Sequence, residues 1–445
     1  MSDFLPISLA EIKQRGWESI DFLFISGDAY VDHPSFGPAI ICRVLESQGY
    51  KVAILPQPDW HNLESFAALG KPNYAVLISG GNLDSMLCHY TAAKKKRSDD
   101  SYTPGGVSGK RPDHATVVYS KCIKKLWPDM PVVIGGIEAS LRRFTHYDYW
   151  SNKVRKSILL DSKADLLMYG MGEHAMIEIA DRLAAGTRAR DIHDVMGTCW
   201  YTSKPKDEIL KTCQMDDSFV RFSERQIVEL PAFEEISRDT PESKQKFAES
   251  FVIQEQNTDA LNADILIEKA DTRYVVQNPP ALPLTTQEFD SVMELPYTRR
   301  WHPMYDKPAA NGKTGVPALQ EVLFSLTSVR GCFGACSFCA ITFHQGRRIQ
   351  ARSHDSLIRE ATSLTHHPNF KGYIHDVGGP TANFRQPSCQ KQLTQGVCKN
   401  RQCLGCDPCP NLQVDHSDYV ELLQKLRALP GIKKVFIRSG ILLMN

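Results

Sequence analysis

Five apolar runs of strand length recur through the first half of the chain, and they constrain its fold more than any other feature. They occupy residues 21–27, 51–57, 74–81, 131–136 and 165–173. The segments between them carry helical patterns, two of which stop at Gly49 and Gly186. Strands that alternate with helices favour a parallel sheet covered by helices on both faces. We therefore predict that residues 1–195 form a doubly wound α/β domain with at least four parallel strands.

The predicted strands end in glycine-rich segments, and the carboxyl ends of parallel strands meet at one edge of a sheet. These segments are Gly27-Asp28, Gly80-Gly81, Gly135-Gly136 and Gly170-Met171-Gly172-Glu173. Backbone without side chains lets a bound group approach closely, which predicts a ligand crevice along this edge. The alternative is that the glycines only permit tight turns from strand to helix.

Two stretches have no clear periodicity. Residues 94–114 are polar, charged and contain several glycines, which predicts a mobile surface loop. We favour a solvated insertion over a clamp for a phosphate-bearing partner. Residues 196–315 are less regular, so we interpret them as a connector between two domains. The basic and aromatic side chains at 297–302 fit either a packed linker or a substrate contact.

The 13 cysteines are unevenly distributed, because eight of them fall between positions 332 and 409. No apolar run is long enough to span a membrane, and the first residues lack the apolar core of a signal peptide, so we expect a cytoplasmic protein. Clustered cysteines in such a chain favour metal or redox chemistry over disulfides. The net charge of +1 provides no general attraction to nucleic acid. The scattered cysteines, expected to be small core residues, are Cys42, Cys88, Cys122, Cys199 and Cys213.

Cys332, Cys336 and Cys339 form a C-x3-C-x2-C motif directly after a predicted strand. Three thiolates on one short loop can hold three irons of a [4Fe-4S] cluster and leave the fourth iron open to substrate or cofactor. A structural zinc site is the alternative, and it would need a fourth ligand such as His344 or a distant cysteine. We expect Phe338 to shield the cluster from water.

A second group of five cysteines follows, with the spacing C-x8-C-x4-C-x2-C-x2-C. Five thiols exceed one tetrahedral site, so we predict a second metal site that uses four of them, either zinc or an auxiliary iron–sulfur cluster. We expect the nearby Lys391, Lys399 and Arg401 to form a solvated rim. The cysteines of this group are Cys389, Cys398, Cys403, Cys406 and Cys409.

The first cysteine motif resembles the cluster loop of the radical S-adenosylmethionine (SAM) enzymes. This resemblance implies that the open iron binds SAM, and that one electron from a donor such as flavodoxin or ferredoxin cleaves it to methionine and a 5'-deoxyadenosyl radical, which acts on an unidentified substrate. The segment GYIHDVGGPTANF at 372–384 is similar to the second barrel strand of that superfamily. The similarity implies that Gly378 and Gly379 hold the SAM amino group.

The chain as a whole resembles the YgiQ-type radical SAM proteins. The segments that carry this resemblance are 27–60, 135–150, 327–341 and 376–383. The resemblance implies a cobalamin-binding-like (Rossmann-like) N-terminal domain, followed by a radical SAM (βα) barrel over residues 316–445.

Cobalamin itself does not follow from this resemblance. The familiar motif for the lower cobalt ligand is D-x-H-x-x-G, whereas the segment Asp32-His33-Pro34-Ser35-Phe36-Gly37 places the histidine one position early. We therefore do not expect His33 to bind cobalt. Binding without a histidine ligand stays open, beside a favoured alternative in which the Rossmann-like domain is only structural.

The C-terminal region contains three strand patterns, at 322–329, 372–377 and 434–441, where a radical SAM barrel has six. We expect a partial barrel, as in a piece of a longer family member, with an open edge at the strand of Phe436 and Ile441. Whether the chain is an enzyme stays open. The alternatives are a radical SAM enzyme, a non-catalytic iron–sulfur or zinc protein, and a tRNA-modifying radical SAM enzyme, although no basic RNA-binding region is visible.

Overall fold

A computed structural model describes residues 3–215, 225–380, 383–405 and 407–438. The strands of its N-terminal part are β1 (Phe22–Ser26), β2 (Val31–Asp32), β3 (Val52–Pro56), β4 (Ala75–Ser79), β5 (Val132–Gly135), β6 (His146–Asp148), β7 (Lys153–Arg155), β8 (Leu166–Met168), β9 (Thr198–Thr202), β10 (Ile227–Glu229), β11 (Ile265–Ala270) and β12 (Arg273–Gln277). Nine of them form one sheet in the order β10-β11-β12-β9-β8-β5-β4-β1-β3.

The strands β3, β1, β4, β5 and β8 are parallel neighbours, which confirms the predicted parallel sheet. In β1, Phe22 and Phe24 enter the core on one face, while Leu23 and Ile25 enter the core on the other. Strands that are covered on both faces need continuous apolar sequence, which is why these runs are visible in the chain. Strand order reverses between β1 and β4, and this switch point is where doubly wound sheets open a crevice.

The sheet continues past position 195. Strand β9 pairs antiparallel with β8, β12 pairs antiparallel with β9 and β11, and β10 adds in parallel to β11. The region 196–315, predicted as a connector, therefore supplies four strands to the N-terminal sheet. Polar residues such as Glu268 and Lys269 interrupt the apolar run of β11, so its pattern is weaker than that of the parallel strands. The domain boundary at 195 stays a prediction, and the sheet crosses it.

The basic and aromatic segment at 297–302 packs against the N-terminal part. Its strand β13 (Arg300–Trp301) pairs antiparallel with β2. His302 Nε2 lies 2.9 Å from Glu11 Oε1. These contacts favour the packed linker over a substrate contact.

The segment 94–114 is packed over part of its length. Arg111 is buried, with its Nε 3.0 Å from Asp100 Oδ2 and its Nη1 2.7 Å from Asp28 Oδ1. The prediction of a solvated loop is therefore wrong around Arg111, although the lysines at 94–96 are exposed. The composition of this segment shows its charges, but it does not show that Arg111 pairs with Asp28, which lies 83 positions away.

Helices cover both faces of the sheet. The helices of the N-terminal part are α1 (Leu9–Gln14), α2 (Gly37–Ser47), α3 (Ser85–His89), α4 (Ala115–Leu126), α5 (Gly136–Leu141), α6 (Ile158–Ser162), α7 (Glu173–Ala184), α8 (Lys206–Met215), α9 (Phe233–Ile236), α10 (Pro241–Gln256) and α11 (Thr286–Met293). Helices α2 and α7 pack together in one core, and α4 and α6 pack in the other. In α7, Met176, Ile179 and Leu183 recur at helical spacing on the buried side.

The described C-terminal part is built from three short strand pairs, two of them parallel and one antiparallel. Its strands are β14 (Ser325–Thr327), β15 (Val329–Arg330), β16 (Gln350–Ala351), β17 (Tyr373–Ile374), β18 (Asp376–Gly378) and β19 (Lys434–Val435). Its helices are α12 (Ala318–Val322), α13 (Ala340–Gln345), α14 (His354–Thr365), α15 (Lys391–Thr394) and α16 (Ser417–Arg427). Strands β14 and β18 pair in parallel, as do β17 and β19, and α14 and α16 pack against them. Strands β15 and β16 form the antiparallel pair.

This arrangement agrees with the three strand patterns predicted for the C-terminal region. Among the described residues, β19 pairs only with β17. Phe436, just after β19, is 46% exposed. Ile441 lies outside the described residues, so the predicted open edge stays a prediction.

Most of the scattered cysteines occupy core positions. Cys42, Cys88 and Cys199 are buried as predicted, and Cys122 is half-buried. The side chain of Cys213 lies outside the described part of the structure. No helix in the described ranges is both long and apolar enough to cross a membrane.

Candidate functional site

The C-x3-C-x2-C motif lies on a loop between β15 and α13. Gly331 begins the loop with φ +79°, and a Cβ there would come within 1.9 Å of Arg348 O, so no other residue fits. Ala335 also has a positive φ, of 52°. The Cys332 amide donates to Gly346 O at 3.2 Å and ties the start of the loop to the end of α13. These turns bend the eight residues from Cys332 to Cys339 into a compact loop that carries all three thiols.

The three thiols lie near one another. A Cβ built on Gly334 would lie 3.3 Å from Cys332 Sγ and 3.8 Å from Cys336 Sγ, so these sulfurs flank one point. Burial raises the pKa of the Cys332 thiol, the Gly334 amide lowers it, and the nearby Cys336 and Cys339 sulfurs raise it. This donor set suits a cluster held by three thiolates. The assignment of the three cysteines as ligands stays a prediction.

The zinc alternative depends on His344 or a distant cysteine as the fourth ligand. Within the described residues, no group of three or more His, Cys, Asp or Glu side chains is arranged to hold a single metal ion, and the three thiols of the loop are included in this statement. His344 Nδ1 instead lies 3.0 Å from Ser140 Oγ, on a different element. Burial lowers the pKa of His344 to about 4, so its ring is neutral near pH 7. The geometry therefore gives no support to a zinc loop completed by His344.

Phe333, not Phe338, provides the apolar side of the loop. Phe338 is 91% exposed, so the prediction that it shields the cluster is wrong for this structure. Phe333 is buried and stacks on Phe384 with ring centroids 4.0 Å apart, and Phe384 stacks in turn on His416. Spacing alone does not show which side of the loop faces the core. The thiol of Cys336 lies on the exposed side.

Gly378 and Gly379 end the strand that lies beside the cysteine loop. Gly378 O accepts from the Ser328 amide at 2.8 Å, and the Gly379 amide donates to Asn383 Oδ1 at 3.1 Å. A Cβ on Gly379 would come within 2.2 Å of Val329 O, so glycine is needed for the two strands to approach. Their predicted contact with the SAM amino group stays a prediction.

Three members of the second cysteine group lie close together. Ser388 Oγ is 3.3 Å from Cys403 Sγ and 3.9 Å from Cys389 Sγ. Burial raises the pKa of the Cys403 thiol, and the Cys409 and Cys389 sulfurs contribute to the increase. The remaining described member, Cys398, accepts from Lys391 Nζ at 3.6 Å. Cys406 lies outside the described residues, so the prediction that at least four of these thiols converge is untested.

The second cysteine group packs against the first loop. Cys403 shares an apolar cluster with Phe333. The buried guanidinium of Arg347 donates to the carbonyls of Cys398 and Arg401 at 3.1 and 3.0 Å. Arg347 was not among the residues predicted from the sequence, because nothing local marks an arginine that binds backbone 51 positions away.

A cavity of about 480 Å³ separates the N-terminal sheet from the cysteine loop. The sheet side contributes the carboxyl ends of β4, β5 and β8 and the first turns of α2 and α7. The facing side contributes residues on either side of the cysteine loop and the glycine strand, namely Thr327, Val329, Arg330, Ile341, His344, Gln345, Gly379 and Pro380. The predicted crevice at the glycine-rich edge therefore exists, at the end nearest the cysteine loop.

Glu173 and Arg330 join the two sides of this cavity. Glu173 begins α7 and is 3% exposed, and its Oε1 accepts from Arg330 Nη1. The guanidinium of Arg330 also lies 4.6 Å from the ring centroid of Phe289. Glu173 Oε2 has no hydrogen-bond partner among the described residues. The pair links positions 157 apart, and sequence patterns do not reveal such pairs.

Part of the switch point is filled by the protein's own side chains, next to Ser79 and Asn82, which line the cavity. Gly81 has φ +112°, and a Cβ on it would come within 2.1 Å of Asp28 Oδ1. Asp28 in turn pairs with the buried Arg111, which also donates to Gly80 O at 2.9 Å. Burial raises the pKa of Asp28 to about 6, against the lowering effect of Arg111. Here Gly81 makes room for a buried ion pair and also lines the cavity.

His33 does not present a free nitrogen to a cofactor. Its side chain is buried, Nδ1 accepts from the Ser35 amide at 3.1 Å, and Nε2 faces Arg299 Nη1 at 3.5 Å. Burial and the Arg299 charge lower its pKa, so the ring is neutral. These contacts do not fit a histidine that ligates cobalt, which agrees with the shifted motif. Cobalamin binding without a histidine ligand is not addressed by these residues.

Comparison with known proteins identifies relatives over nearly the whole chain. A family model described as Radical SAM N-terminal matches residues 4–325. UPF0313 proteins of Clostridium botulinum (strain Okra / Type B1) and Clostridium perfringens (strain 13 / Type A) are 53% and 51% identical over 439 and 438 residues. These matches cover 99% and 98% of this chain but 64% and 62% of the relatives, so the chain spans less than two thirds of their length.

Among solved structures, the chain is similar to the radical SAM methyltransferase TsrM from Kitasatospora setae with cobalamin and a [4Fe-4S] cluster bound. That match has 16% identity and a TM-score of 0.38, and it covers 81% of this chain and 47% of the other. A TsrM structure with tryptophan and a SAM analogue matches with 15% identity and a TM-score of 0.37, covering 80% and 47%. On the family match and the relatives, this chain belongs to the radical SAM N-terminal family, and its YgiQ-type resemblance is confirmed by its UPF0313 relatives.

Proposed function

We propose that this chain carries the cluster-binding part of a radical SAM enzyme, with Cys332, Cys336 and Cys339 as the ligands of a [4Fe-4S] cluster. The observation that carries the proposal is the compact loop on which the three thiols lie close together, in a member of this family. When bound, the cluster and SAM supply reductive cleavage of SAM to methionine and a 5'-deoxyadenosyl radical, which acts on an unidentified substrate.

The residues of the loop have separate roles in this proposal. Gly331 and Ala335 hold the turns that orient the thiols toward one side. Phe333 excludes water on the core side, where a dry environment tunes the cluster potential. Cys336 leaves the opposite side accessible, so an electron donor such as flavodoxin or ferredoxin would approach there. A cytoplasmic location belongs to the same proposal.

SAM would lie between the loop and the glycine strand. Gly379 and Pro380 line the cavity beside Val329, at the carboxyl end of β18. The amino group of SAM would therefore meet backbone carbonyls at Gly378 and Gly379, as the resemblance implies. The cavity then extends from this position toward the N-terminal sheet.

The test is anaerobic reconstitution of the 445-residue chain, with iron and sulfide counts, electron paramagnetic resonance (EPR) with and without SAM, and an assay for 5'-deoxyadenosine. We expect close to four irons in the first cluster and a SAM-dependent change of its EPR signal. Cys336→Ala should lose that signal, whereas Cys122→Ala, a scattered cysteine, should keep it. Unchanged iron and EPR in Cys336→Ala would refute the ligand assignment.

The same samples separate this proposal from the alternatives. A non-catalytic iron–sulfur protein would retain iron but show no SAM-dependent signal. A tRNA-modifying enzyme would form 5'-deoxyadenosine faster when tRNA is added.

A second metal held by four of Cys389, Cys398, Cys403, Cys406 and Cys409 is a separate proposal. It is supported by the contacts of the Cys389 and Cys403 sulfurs with Ser388 Oγ, and by the effect of the Cys409 and Cys389 sulfurs on the pKa of Cys403. Metal analysis of a variant in which Cys332, Cys336 and Cys339 are all alanine tests it. We expect zinc or iron to remain bound. A metal-free protein would show that this second group binds none.

A further inference from the structure

The cavity between the N-terminal sheet and the cysteine loop has the features of a ligand site with a defined chemistry. We infer that it binds a compact, largely apolar amine, whose ammonium group donates to Glu173 Oε2. Binding of the amine does not depend on the proposed function. Only the statement that this amine is the class of substrate rests on it. Three observations support it: the walls of the cavity, the state of the Glu173 carboxylate, and the position of the cysteine loop.

The walls of the cavity are mainly apolar. Helix α2 contributes Ile40 and Ile41, and the strand ends contribute Leu77 and Met168. Two further methionines, Met171 and Met176, lie on the side of α7. Methionine side chains adapt to the shape of an apolar ligand. A cavity of about 480 Å³ suits a molecule of small-drug size.

The carboxylate of Glu173 is held in place but not fully used. Arg330 binds Oε1, and the first turn of α7 favours the ionised form. Oε2 has no partner in the described part of the chain, although Glu173 is only 3% exposed and lines the cavity. A buried carboxylate oxygen without a donor is costly, so a ligand that supplies an N–H donor gains affinity there.

The charges around the cavity favour an amine over an acid. The nearest cation, Arg330, is already paired with Glu173. His344, which also lines the cavity, is neutral near pH 7. Among the described residues that line the cavity, no cation is left unpaired for a carboxylate ligand, whereas an ammonium group could pair with the buried, unpartnered oxygen of Glu173.

The cavity also reaches the segments that flank the cysteine loop. Val329 and Arg330 immediately precede the loop, and Ile341 follows it. A molecule anchored at Glu173 would extend along these residues toward Gly379. This is the position in which a substrate would meet a radical generated at the proposed cluster.

Three probes with one carbon skeleton test the inference: 4-phenylbutylamine, 4-phenylbutan-1-ol and 4-phenylbutyrate. Their binding to the reconstituted 445-residue chain is measured anaerobically by calorimetry. We expect the amine to bind at least tenfold more tightly than the alcohol or the acid. In Glu173→Gln the amine should bind roughly tenfold to a hundredfold more weakly, the range for a hydrogen bond to a charged group. Glu178→Gln, on the same helix but outside the cavity, should bind like the parent chain.

A second variant covers the case in which Glu173→Gln does not fold. Ile41→Trp narrows the cavity without touching the ion pair, and it should abolish amine binding. Equal affinity for the three probes, or unchanged amine affinity in either folded variant, would overturn the inference.

The EPR response to SAM, recorded on the same samples, separates this inference from the proposed function. A normal SAM response without amine selectivity overturns only the cavity assignment. Selective amine binding without a SAM response overturns only the proposed function.

Discussion

The glycine-rich edge of the N-terminal sheet has two halves that use buried carboxylates differently. Around the turns after β1 and β4, the carboxylates of Asp28 and Glu138 are enclosed and Arg111 neutralises Asp28, although Ser79 and Gly81 also reach the cavity. At the ends of β5 and β8, Glu173 lines the cavity, and Arg330 is its salt-bridge partner among the described residues. We call these the closed half and the open half. The first stabilises the fold, and the second has an acceptor left for a ligand.

Glu138 and Glu173 make the difference most plainly, because both lie near the starts of helices. Glu138 accepts from the Ser85 amide at 2.9 Å and the Thr116 amide at 3.0 Å, and it also accepts from the Ser85 hydroxyl. Both of its oxygens therefore have donors. Because the Ser85 and Thr116 amides belong to the first turns of α3 and α4, the Glu138 carboxylate takes the position that an anion such as phosphate would take at a helix N-terminus. Glu173 has one oxygen for which the described part of the chain supplies no donor. A ligand is therefore expected at one half of the edge only.

Arg111→Met should have the largest effect on the closed half. It leaves the buried carboxylates of Asp28 and Asp100 without their cation, so we expect a loss of about 3–5 kcal/mol in the free energy of unfolding. Urea unfolding followed by circular dichroism measures it. Arg188→Met, at an exposed ion pair, should change stability by less than about 0.5 kcal/mol. A loss below about 1 kcal/mol in Arg111→Met would contradict the structural role of the closed half.

The pH dependence of stability should report on Asp28. Burial raises its pKa from 3.8 to about 6, so between these values the folded state binds the proton more tightly than the unfolded state does. The free energy of unfolding should therefore fall as pH rises from about 4 to 6, by at most about 3 kcal/mol, and change little above that range. Urea unfolding at several pH values measures this slope.

Asp28→Asn should remove this contribution to the slope, while the exposed Asp239→Asn should retain it. Identical slopes in the parent chain and Asp28→Asn would show that Asp28 titrates alike in the folded and unfolded states.

Glu138→Ala should destabilise the closed half by a smaller amount. The substitution leaves the amides of Ser85 and Thr116 without an acceptor in a buried position, for which we expect a loss of about 2 kcal/mol. Thermal and urea unfolding measure it. Glu249→Ala, on the exposed side of α10, serves as the control. A stability equal to that of the control would mean that solvent reaches these amides.

The smallest expected effect distinguishes the two halves directly. At ten times its dissociation constant, 4-phenylbutylamine should raise the free energy of unfolding by roughly 1.4 kcal/mol. Arg111→Met should be less stable without the amine but should gain the same increment in the free energy of unfolding, because Arg111 lies in the closed half. Glu173→Gln should gain almost none. If the increment disappears in Arg111→Met as well, the two halves are not independent.

The sequence by itself determined the features that depend on neighbouring residues. The five parallel strands were predictable because a strand buried on both faces needs an unbroken apolar run, as at 22–26 and 75–79. The loop of Cys332, Cys336 and Cys339 was predictable because the spacing of ligands along a short loop limits what they can bind. Family motifs extended these predictions over the chain.

Only the tertiary structure decided the features that depend on distant partners. The pairs Arg111–Asp28 and Arg330–Glu173 join positions 83 and 157 apart, and no local pattern marks which charge will meet which. Phe333 lies in the core while Phe338 faces outward, because the path of the loop sets the direction of each ring. Chain folding brings distant charges into buried contact, where low polarity makes their pairing decisive. For this reason two parts of one glycine-rich edge have similar sequences, yet buried ion pairs fill one part and the other part lines a cavity.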